Sequence, residues 1–265
     1  MPVANARMYS ATPAGKAAWH RILRWALDEA GLPWEVIDHD APAPLSALWA
    51  RDDLGLALMC GLPFARRQPP AQLVAAPIPS PGRYGGRPVY CTDIVVRAGA
   101  PYRVLQDTFG GVAGYTLADS LSGGVAFNLH LQPFRSARRP RLYARTVGGL
   151  VNARGVIDAL AAGTIDVGPL DSWYHDQLRR QDPAFAARVR TVATTAWRPL
   201  PPFVATAPLA AGELDAVRAA LHAATQAPEL AADCALLLLA GFAAPPARDY
   251  AALADPGPLT AFEDL

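Results

Sequence analysis

The chain has 265 residues, of which 52% are hydrophobic and 18% are charged, and its formal net charge is +1. This length suffices for one large domain or two lobes, and we favour two lobes. The near-neutral charge argues against a nucleic-acid-binding surface and against an acidic disordered tail. No run of about 18 apolar residues is present, so we expect no direct membrane insertion.

Cysteine and histidine spacing give no sign of a metal or redox site. Cys60, Cys91 and Cys234 are odd in number and far apart, which predicts buried free thiols. Nucleotide-binding fingerprints are missing as well, so we expect no cofactor. The first residues lack the apolar stretch of a secretory signal. The sequence as written therefore predicts a cytoplasmic protein, and a periplasmic one if a signal peptide has been removed.

Hydrophobic periodicity predicts apolar strands alternating with amphipathic helices along most of the chain. In chain order the predicted elements are a strand at 3–9, a helix at 12–30, a strand at 34–37, a helix at 44–49, strands at 54–59, 73–76, 89–97 and 111–115, a helix at 122–131, a strand at 141–144, a helix at 152–162, a strand at 165–170, a helix at 172–180, strands at 189–194 and 203–206, and helices at 209–225 and 228–240. The apolar face of the first helix comprises Trp19, Ile22, Leu23, Ala26 and Leu27. The proline-containing end of the chain is expected to be a surface tail.

This alternation predicts an α/β fold in which each lobe is a mainly parallel sheet flanked by helices. In such sheets, ligands bind beyond the carboxyl ends of the strands. The candidate ligand-binding residues at these positions are Tyr9, Cys60, Gly61, Tyr115, Ser120, Ser122, Gly123 and Asp171. They supply hydroxyls, helix starts and one carboxylate but no histidine, which favours recognition by hydrogen bonds over proton transfer. We expect no catalytic residue and no metal ligand.

The strongest single candidate is the segment 111–124, with the sequence GVAGYTLADSLSGG. It predicts a short strand followed by the start of a helix. The free N–H groups of a first helical turn, the hydroxyls of Ser120 and Ser122, and the positive end of the helix dipole are suited to holding a small anion. Ordinary helix capping accounts for the same residue types and stands as the alternative.

Other candidates also have simpler interpretations. Tyr9 and Tyr115 are suited to filling space above a sheet, Asp171 to capping the next helix, and Cys60 to packing as a small hydrophobic residue. The enzymatic alternative is a serine hydrolase. The sequence SLSGG at 120–124 departs from the G-x-S-x-G motif at its first position, and the usual order of acid and histidine after the serine would require His175.

Several parts follow one another in a familiar order. Met8-Tyr9 ends the opening strand, a long helix carries Trp19, Cys60-Gly61-Leu62-Pro63 follows a buried strand, a crossover lies near 90–97, and Ser120-Leu121-Ser122-Gly123 and the G-x-x-D-x-x-x-x-D stretch from Gly163 to Asp171 come later. This order resembles the type 2 periplasmic binding proteins, and among them the phosphate/phosphite/phosphonate group of ABC-transporter substrate-binding proteins. The resemblance covers residues 3–206.

The resemblance implies two α/β lobes, one formed by residues 1–92 and 195–265 and the other by residues 93–194, joined by hinge strands at 89–97 and 189–196. Ser120 and Ser122 would hold an anionic group at the helix N-terminus, while Tyr9, the loop 60–63 and Asp171 would line the opposite walls. The implied protein is a non-enzymatic monomer that closes on a small anionic ligand and works with an ABC transporter permease or in sensing.

One element departs from the family pattern. Members often carry a histidine after a glycine-containing turn before a helix of the second lobe, whereas here Gly148-Gly149 is followed by Leu150-Val151-Asn152. The ligand therefore stays open between a phosphonate and another oxyanion or a carboxylate. The alternative function is an enzyme on the same fold, either a serine hydrolase or an enzyme acting on a pyrimidine precursor.

Overall fold

The computed structural model describes all 265 residues, and the chain forms two compact units. Unit 1 comprises Met1–Val89 and Pro199–Ala254, and unit 2 comprises Tyr90–Arg198 and Asp255–Leu265. The chain thus crosses between the units at 89–90, 198–199 and 254–255. The expected lobe one extended to residue 265, whereas the final segment clusters with unit 2.

The secondary structure is named here in chain order. The strands are β1 (Val3–Asn5), β2 (Glu35–Val36), β3 (Leu54–Leu58), β4 (Gln72–Pro79), β5 (Val89–Tyr90), β6 (Thr92–Arg97), β7 (Val112–Gly114), β8 (Arg145–Val147), β9 (Gly168–Asp171), β10 (Val189–Thr194), β11 (Arg198–Pro199), β12 (Phe203–Ala205) and β13 (Leu239–Ala243). The α-helices are α1 (Pro13–Glu29), α2 (Leu45–Trp49), α3 (Gly61–Arg66), α4 (Ala126–Leu131), α5 (Ala153–Ala161), α6 (Ser172–Gln181), α7 (Pro183–Ala186), α8 (Ala211–Ala224), α9 (Ala231–Leu237) and α10 (Arg248–Ala251). No helix is both long enough and apolar enough to cross a membrane.

Helix α1 forms where its sequence signals predict it. The hydroxyl of Thr12 accepts a hydrogen bond from the Gly15 N–H at 3.1 Å, and Pro13 occupies the first helical position, where the missing N–H costs no hydrogen bond. The predicted apolar face is buried in full, and it comprises Trp19, Ile22, Leu23, Ala26 and Leu27. Burying a face of this size is what holds the helix on unit 1, because most helical stability in proteins comes from tertiary packing.

Unit 1 is built on a six-stranded sheet with the order β13-β4-β12-β3-β1-β2. Strands β1, β2 and β3 are parallel neighbours, as the alternation of strands and helices predicts. The sheet is nevertheless mixed, because β12 runs antiparallel to β3 and β4, and β13 runs antiparallel to β4. The helix predicted at 228–240 forms as a 3₁₀ turn, Pro228–Leu230, followed by α9, but it ends at Leu237, and residues 239–240 instead begin β13. Leu238 ends α9 in the left-handed conformation, with a φ of 53°, and the residues that follow it pair with β4.

Unit 2 contains the antiparallel sheet β10-β6-β9 and the parallel pair β7-β8. Ala113 of β7 also makes a parallel bridge to Val167, immediately before β9, so β7, β8 and β9 run in the same direction. The core between these strands and α4 comprises Ile94, Val96, Leu105, Ala113, Phe127, Leu131, Leu142, Tyr143, Val167 and Leu265.

Three other local predictions are wrong. The opening strand ends at Asn5, and a 3₁₀ turn spans Arg7–Tyr9. Residues 141–144 form no strand. The N–H groups of Leu142 and Tyr143 instead donate to the carbonyl of Leu265, at 3.2 and 2.9 Å. The end of the chain is therefore not a surface tail, since these bonds and the full burial of Leu265 fix it in the core of unit 2.

Candidate functional site

Strands β7, β8 and β9 of unit 2 end at one edge, and a helical segment follows each of them. After β7 comes a π-helical turn, Leu121–Val125, which packs against β9 and continues into α4. Helix α5 follows β8, and α6 follows β9. Three helix N-termini thus lie along this edge, each carrying partial positive charge, and side-chain caps accept from some of their backbone N–H groups. Such an edge is suited to holding a small anion.

The two serines of the turn have different environments. The hydroxyl of Ser120 accepts from the Gly123 N–H at 3.1 Å and so caps the helical segment. The carbonyl of Ser122 accepts from the hydroxyl of Thr92 at 3.1 Å, while its own half-buried hydroxyl makes no hydrogen bond within unit 2. Helix capping thus accounts for Ser120, and Ser122 presents an unused hydroxyl at the start of the helix.

Gly123 leaves no room for a side chain. A Cβ atom there would lie 1.8 Å from Thr116 Oγ1. Thr116 is buried, and its N–H donates to the Gly123 carbonyl at 2.8 Å, which holds the two residues together. The shape of the turn therefore depends on glycine at this position.

Tyr115 connects the turn to the loop after β8. Its ring lies 4.4 Å from the ring of Phe262, measured between centroids, and it covers the backbone of Gly148, where a Cβ would come within 2.4 Å of Tyr115 Cζ. The ring is half-buried, and its hydroxyl makes no hydrogen bond within unit 2. Tyr115 is thus both a packing residue, as the simpler interpretation has it, and an available hydrogen-bonding group.

The loop before α5, whose sequence lacks the histidine of the family pattern, contains a strained residue. Val151 has a φ of 66°, and the Asn152 N–H donates across it to the Leu150 carbonyl at 2.7 Å. A β-branched residue in this conformation is a genuine outlier. Such strain clusters at ligand sites. Val151 is also 46% exposed, so its isopropyl group faces solvent at the edge where the helices begin.

Asp171 serves as a helix cap. Its Oδ1 accepts from the N–H groups of Trp173 and Tyr174, at 3.0 and 3.1 Å. Thr92 lies opposite Asp171 in the β6-β9 ladder and bonds to the Ser122 carbonyl. One threonine therefore links the serine turn to the start of α6.

The remaining candidates belong to unit 1. Strands β1 and β3 are parallel neighbours, so Tyr9, after β1, and Cys60-Gly61, after β3, follow strand ends at the same edge. Tyr9 is 1% exposed, and its carbonyl accepts from Trp19 Nε1 at 3.1 Å. Cys60 is buried and is not part of a disulfide, and Gly61 is the first residue of α3. The eight candidates thus form two sets: these three in unit 1, and Tyr115, Ser120, Ser122, Gly123 and Asp171 in unit 2.

Neither histidine that a serine hydrolase would need is paired with a serine of the turn. His175 is fully buried, and its Nδ1 lies 2.8 Å from Asp93 Oδ2. His130 lies on α4 against Phe134, with 6.2 Å between the ring centroids, and burial lowers its pKa. A nucleophile and a base within hydrogen-bond reach are the signature of such enzymes. The structure does not show that arrangement.

Sequence patterns did not single out Thr92 or Thr116, although both shape the turn. Each is buried, and each contacts the turn from outside the 119–124 segment. A threonine in or beside an apolar strand gives no signal beyond its β propensity. The glycine pair at 123–124 was the one available hint that another group approaches the backbone closely.

Comparison with known proteins adds a family and a fold. Residues 15–250 match the family model described as ABC transporter, phosphonate, periplasmic substrate-binding protein. No curated protein matches the sequence. The architecture is similar to that of a binding-protein component of an ABC phosphonate transporter from Pseudomonas aeruginosa, with 16% identity, coverage of 92% of this chain and 82% of that chain, and a TM-score of 0.74.

Two further solved structures are similar. PhnD1 from Prochlorococcus marinus, in complex with methylphosphonate, has 12% identity, 94% coverage of each chain and a TM-score of 0.72. A Xanthomonas citri protein bound to ATP has 18% identity, covers 95% of this chain and 96% of its own, and gives a TM-score of 0.65. At such identities the likeness shows the fold, and it confirms the predicted type 2 periplasmic-binding-protein architecture.

Proposed function

Because the chain belongs to the family of periplasmic substrate-binding proteins of ABC phosphonate transporters, we propose that it binds a small oxyanion, a phosphonate or a phosphate-like ion, at the serine turn of unit 2. The family consists of transport proteins rather than enzymes. We propose further that the protein acts as a monomer in the periplasm and delivers its ligand to an ABC transporter permease or to a sensor.

The observation that carries this proposal is the unused hydroxyl of Ser122. It lies at the first turn of a helical segment, where backbone N–H groups and the helix dipole favour negative charge. The Thr92 hydroxyl holds the Ser122 carbonyl, and the Ser120 hydroxyl holds the Gly123 N–H. The turn is therefore shaped before the ligand arrives, which reduces the entropy lost on binding.

The other candidates complete the proposed site. Tyr115 offers a hydroxyl beside the turn, and Gly123 allows close approach to the backbone. Asp171 fixes the start of α6, and Tyr9, Cys60 and Gly61 supply the wall from unit 1. We propose that the units close on the ligand by bending near 89–97 and 189–196, close to two of the chain crossings.

Isothermal titration calorimetry with methylphosphonate, phosphate, phosphite, sulfate and acetate tests the proposal. Methylphosphonate heads this panel because the similar PhnD1 structure holds it. A hydrogen bond to a charged group contributes about 1.5–3 kcal/mol, so Ser122→Ala is expected to weaken the best ligand by roughly 10- to 100-fold. Ser46→Ala is the matched control, because Ser46 is an exposed helical serine in unit 1. An unchanged dissociation constant for Ser122→Ala would remove the turn from the site.

Closure and the monomeric state have separate tests. The best ligand is expected to lower the radius of gyration measured by small-angle X-ray scattering, and light scattering is expected to give the mass of one chain. A ligand that raises the melting temperature by mass action but leaves the radius of gyration unchanged would contradict closure while leaving binding intact.

A further inference from the structure

A pocket of about 330 Å³ lies in unit 2 between α4 with the turn that follows it and the segment 195–198. Its lining includes none of the residues that we assign to the anion site. One segment contributes Leu129, Pro133 and Phe134 to the lining, and the other contributes Thr195, Ala196 and Arg198. Its volume is at the lower end of the range for small-molecule sites, about 300–1,000 Å³. The pocket is therefore sized for one small ligand.

Arg198 is the only lining residue that carries a fixed charge. Arg198 is half-buried, and its guanidinium makes no ion pair or hydrogen bond to another side chain. Withdrawing a charge from water without a partner is unfavourable, so this position favours an anion. A planar guanidinium also matches the two oxygens of a carboxylate. The single positive charge of Arg198 therefore favours a ligand that carries one negative group.

The remaining lining restricts the ligand further. The Thr195 hydroxyl is already engaged, because it accepts from the Thr92 N–H at 2.9 Å and donates to the Ala196 carbonyl at 3.3 Å. His130 stands against Phe134, and burial lowers its pKa, so the imidazole is neutral near pH 7 and forms a flat polar wall. These rings and the aliphatic side chains of the lining favour a ligand with an aromatic or branched apolar body.

We propose that this pocket is a second ligand site, which takes a small monocarboxylate with an aromatic or branched apolar body. Arg198 holds the carboxylate, and Leu129, Pro133 and Phe134 cover the apolar body. The proposal stands independently of which oxyanion occupies the serine turn.

Benzoate and its uncharged isostere benzamide are the probes. Calorimetric titration of the whole chain is expected to show benzoate binding at least ten times more tightly than benzamide. Arg198→Gln is expected to weaken benzoate at least tenfold. Arg138→Gln, which removes the same charge from an exposed position of unit 2, is expected to leave benzoate affinity unchanged. Thermal melts establish that each variant is folded.

Nuclear magnetic resonance locates the bound probe. A second variant, with a side chain that fills the pocket, tests the proposal even if Arg198→Gln does not fold. Benzoate is expected to move the backbone amide signals of 129–134 and 195–198. Ala196→Phe places a ring at the pocket and is expected to abolish these shifts while leaving the arginine in place. Equal affinity for benzoate and benzamide, no binding at millimolar benzoate, or shifts confined to 120–124 would each overturn the proposal. The last result would assign benzoate to the anion site instead.

Discussion

The substitution Gly123→Ala tests whether close packing, rather than chain flexibility, explains glycine at the serine turn. The added methyl group would lie 1.8 Å from Thr116 Oγ1, 2.9 Å from Ser120 Oγ and 3.0 Å from Thr116 Cβ. Rotation of Thr116 about its side-chain bond moves Oγ1 but not Cβ. The backbone bond from Thr116 to Gly123, at 2.8 Å, prevents the two segments from separating.

The expected cost follows from two opposing effects. Overpacking a well-packed site costs about 1–3 kcal/mol, and an overlap this severe belongs at the upper end. Alanine is favoured over glycine in a helical segment by about 1 kcal/mol. The net loss of unfolding free energy is therefore about 2 kcal/mol, which lowers the melting temperature of a chain of this size by about 4–8 °C.

The assay is denaturant unfolding of the single variants and of the double variant Gly123→Ala/Thr116→Ala. Removing Thr116 Oγ1 eliminates the shortest contact. The loss of unfolding free energy in the double variant is therefore expected to be smaller than the sum of the two single losses by about 1 kcal/mol or more. Gly212→Ala in α8 is the control, because a Cβ there meets nothing within 4 Å. The steric account fails if Gly123→Ala is as stable as Gly212→Ala, or if the two changes at 116 and 123 are additive.

Three further predictions concern capping, charge and the threonine link. Asp171→Ala should lower the unfolding free energy by about 1 kcal/mol in urea titrations and Asp171→Asn by much less, because asparagine caps equally well. Lys16 lowers the pKa of Asp38, so the wild-type protein should be more stable than Lys16→Met above about pH 4. This difference in stability should disappear as the pH falls through the lowered pKa. A difference that grows in acid would contradict this pairing. Thr92→Val leaves the Ser122 carbonyl without its donor and should cost about 1–3 kcal/mol in urea unfolding, whereas a neutral result would show that the bond is dispensable.

Local signals in the sequence predict those elements whose ends and faces depend on nearby residues. Thr12 and Pro13 mark the start of α1, and the helical period of its apolar residues gives its buried face. Asn152 caps α5, and the hydroxyl of Ser120 caps the turn before α4. In each case a side chain satisfies N–H groups within its own first turn, which makes the signal readable without tertiary information.

The elements that were missed depend on distant partners. Strand β13 pairs with β4, which lies far away in the chain, and its first two residues, Leu239 and Ala240, continue the alanine- and leucine-rich run that predicts a helix. Leu265 is buried because it packs beside Leu142 and Tyr143. The conformation of Val151 opposes its own local preference. Tertiary contacts override local propensity in all three places, and sequence periodicity carries no record of them.

The sequence predicts the serine turn as a candidate site, but it does not predict the contacts that connect the turn to distant residues. Thr92 donates its hydroxyl to Ser122, and its backbone exchanges hydrogen bonds with Thr195, at 2.9 and 3.0 Å. Both threonines lie a few residues inside unit 2 from a point where the chain crosses to unit 1. We infer that any shift of the turn would strain or relax bonds to both connecting segments. If the turn holds the proposed anion, these bonds would couple ligand affinity to the geometry of the connecting segments, and the coupling would be reciprocal.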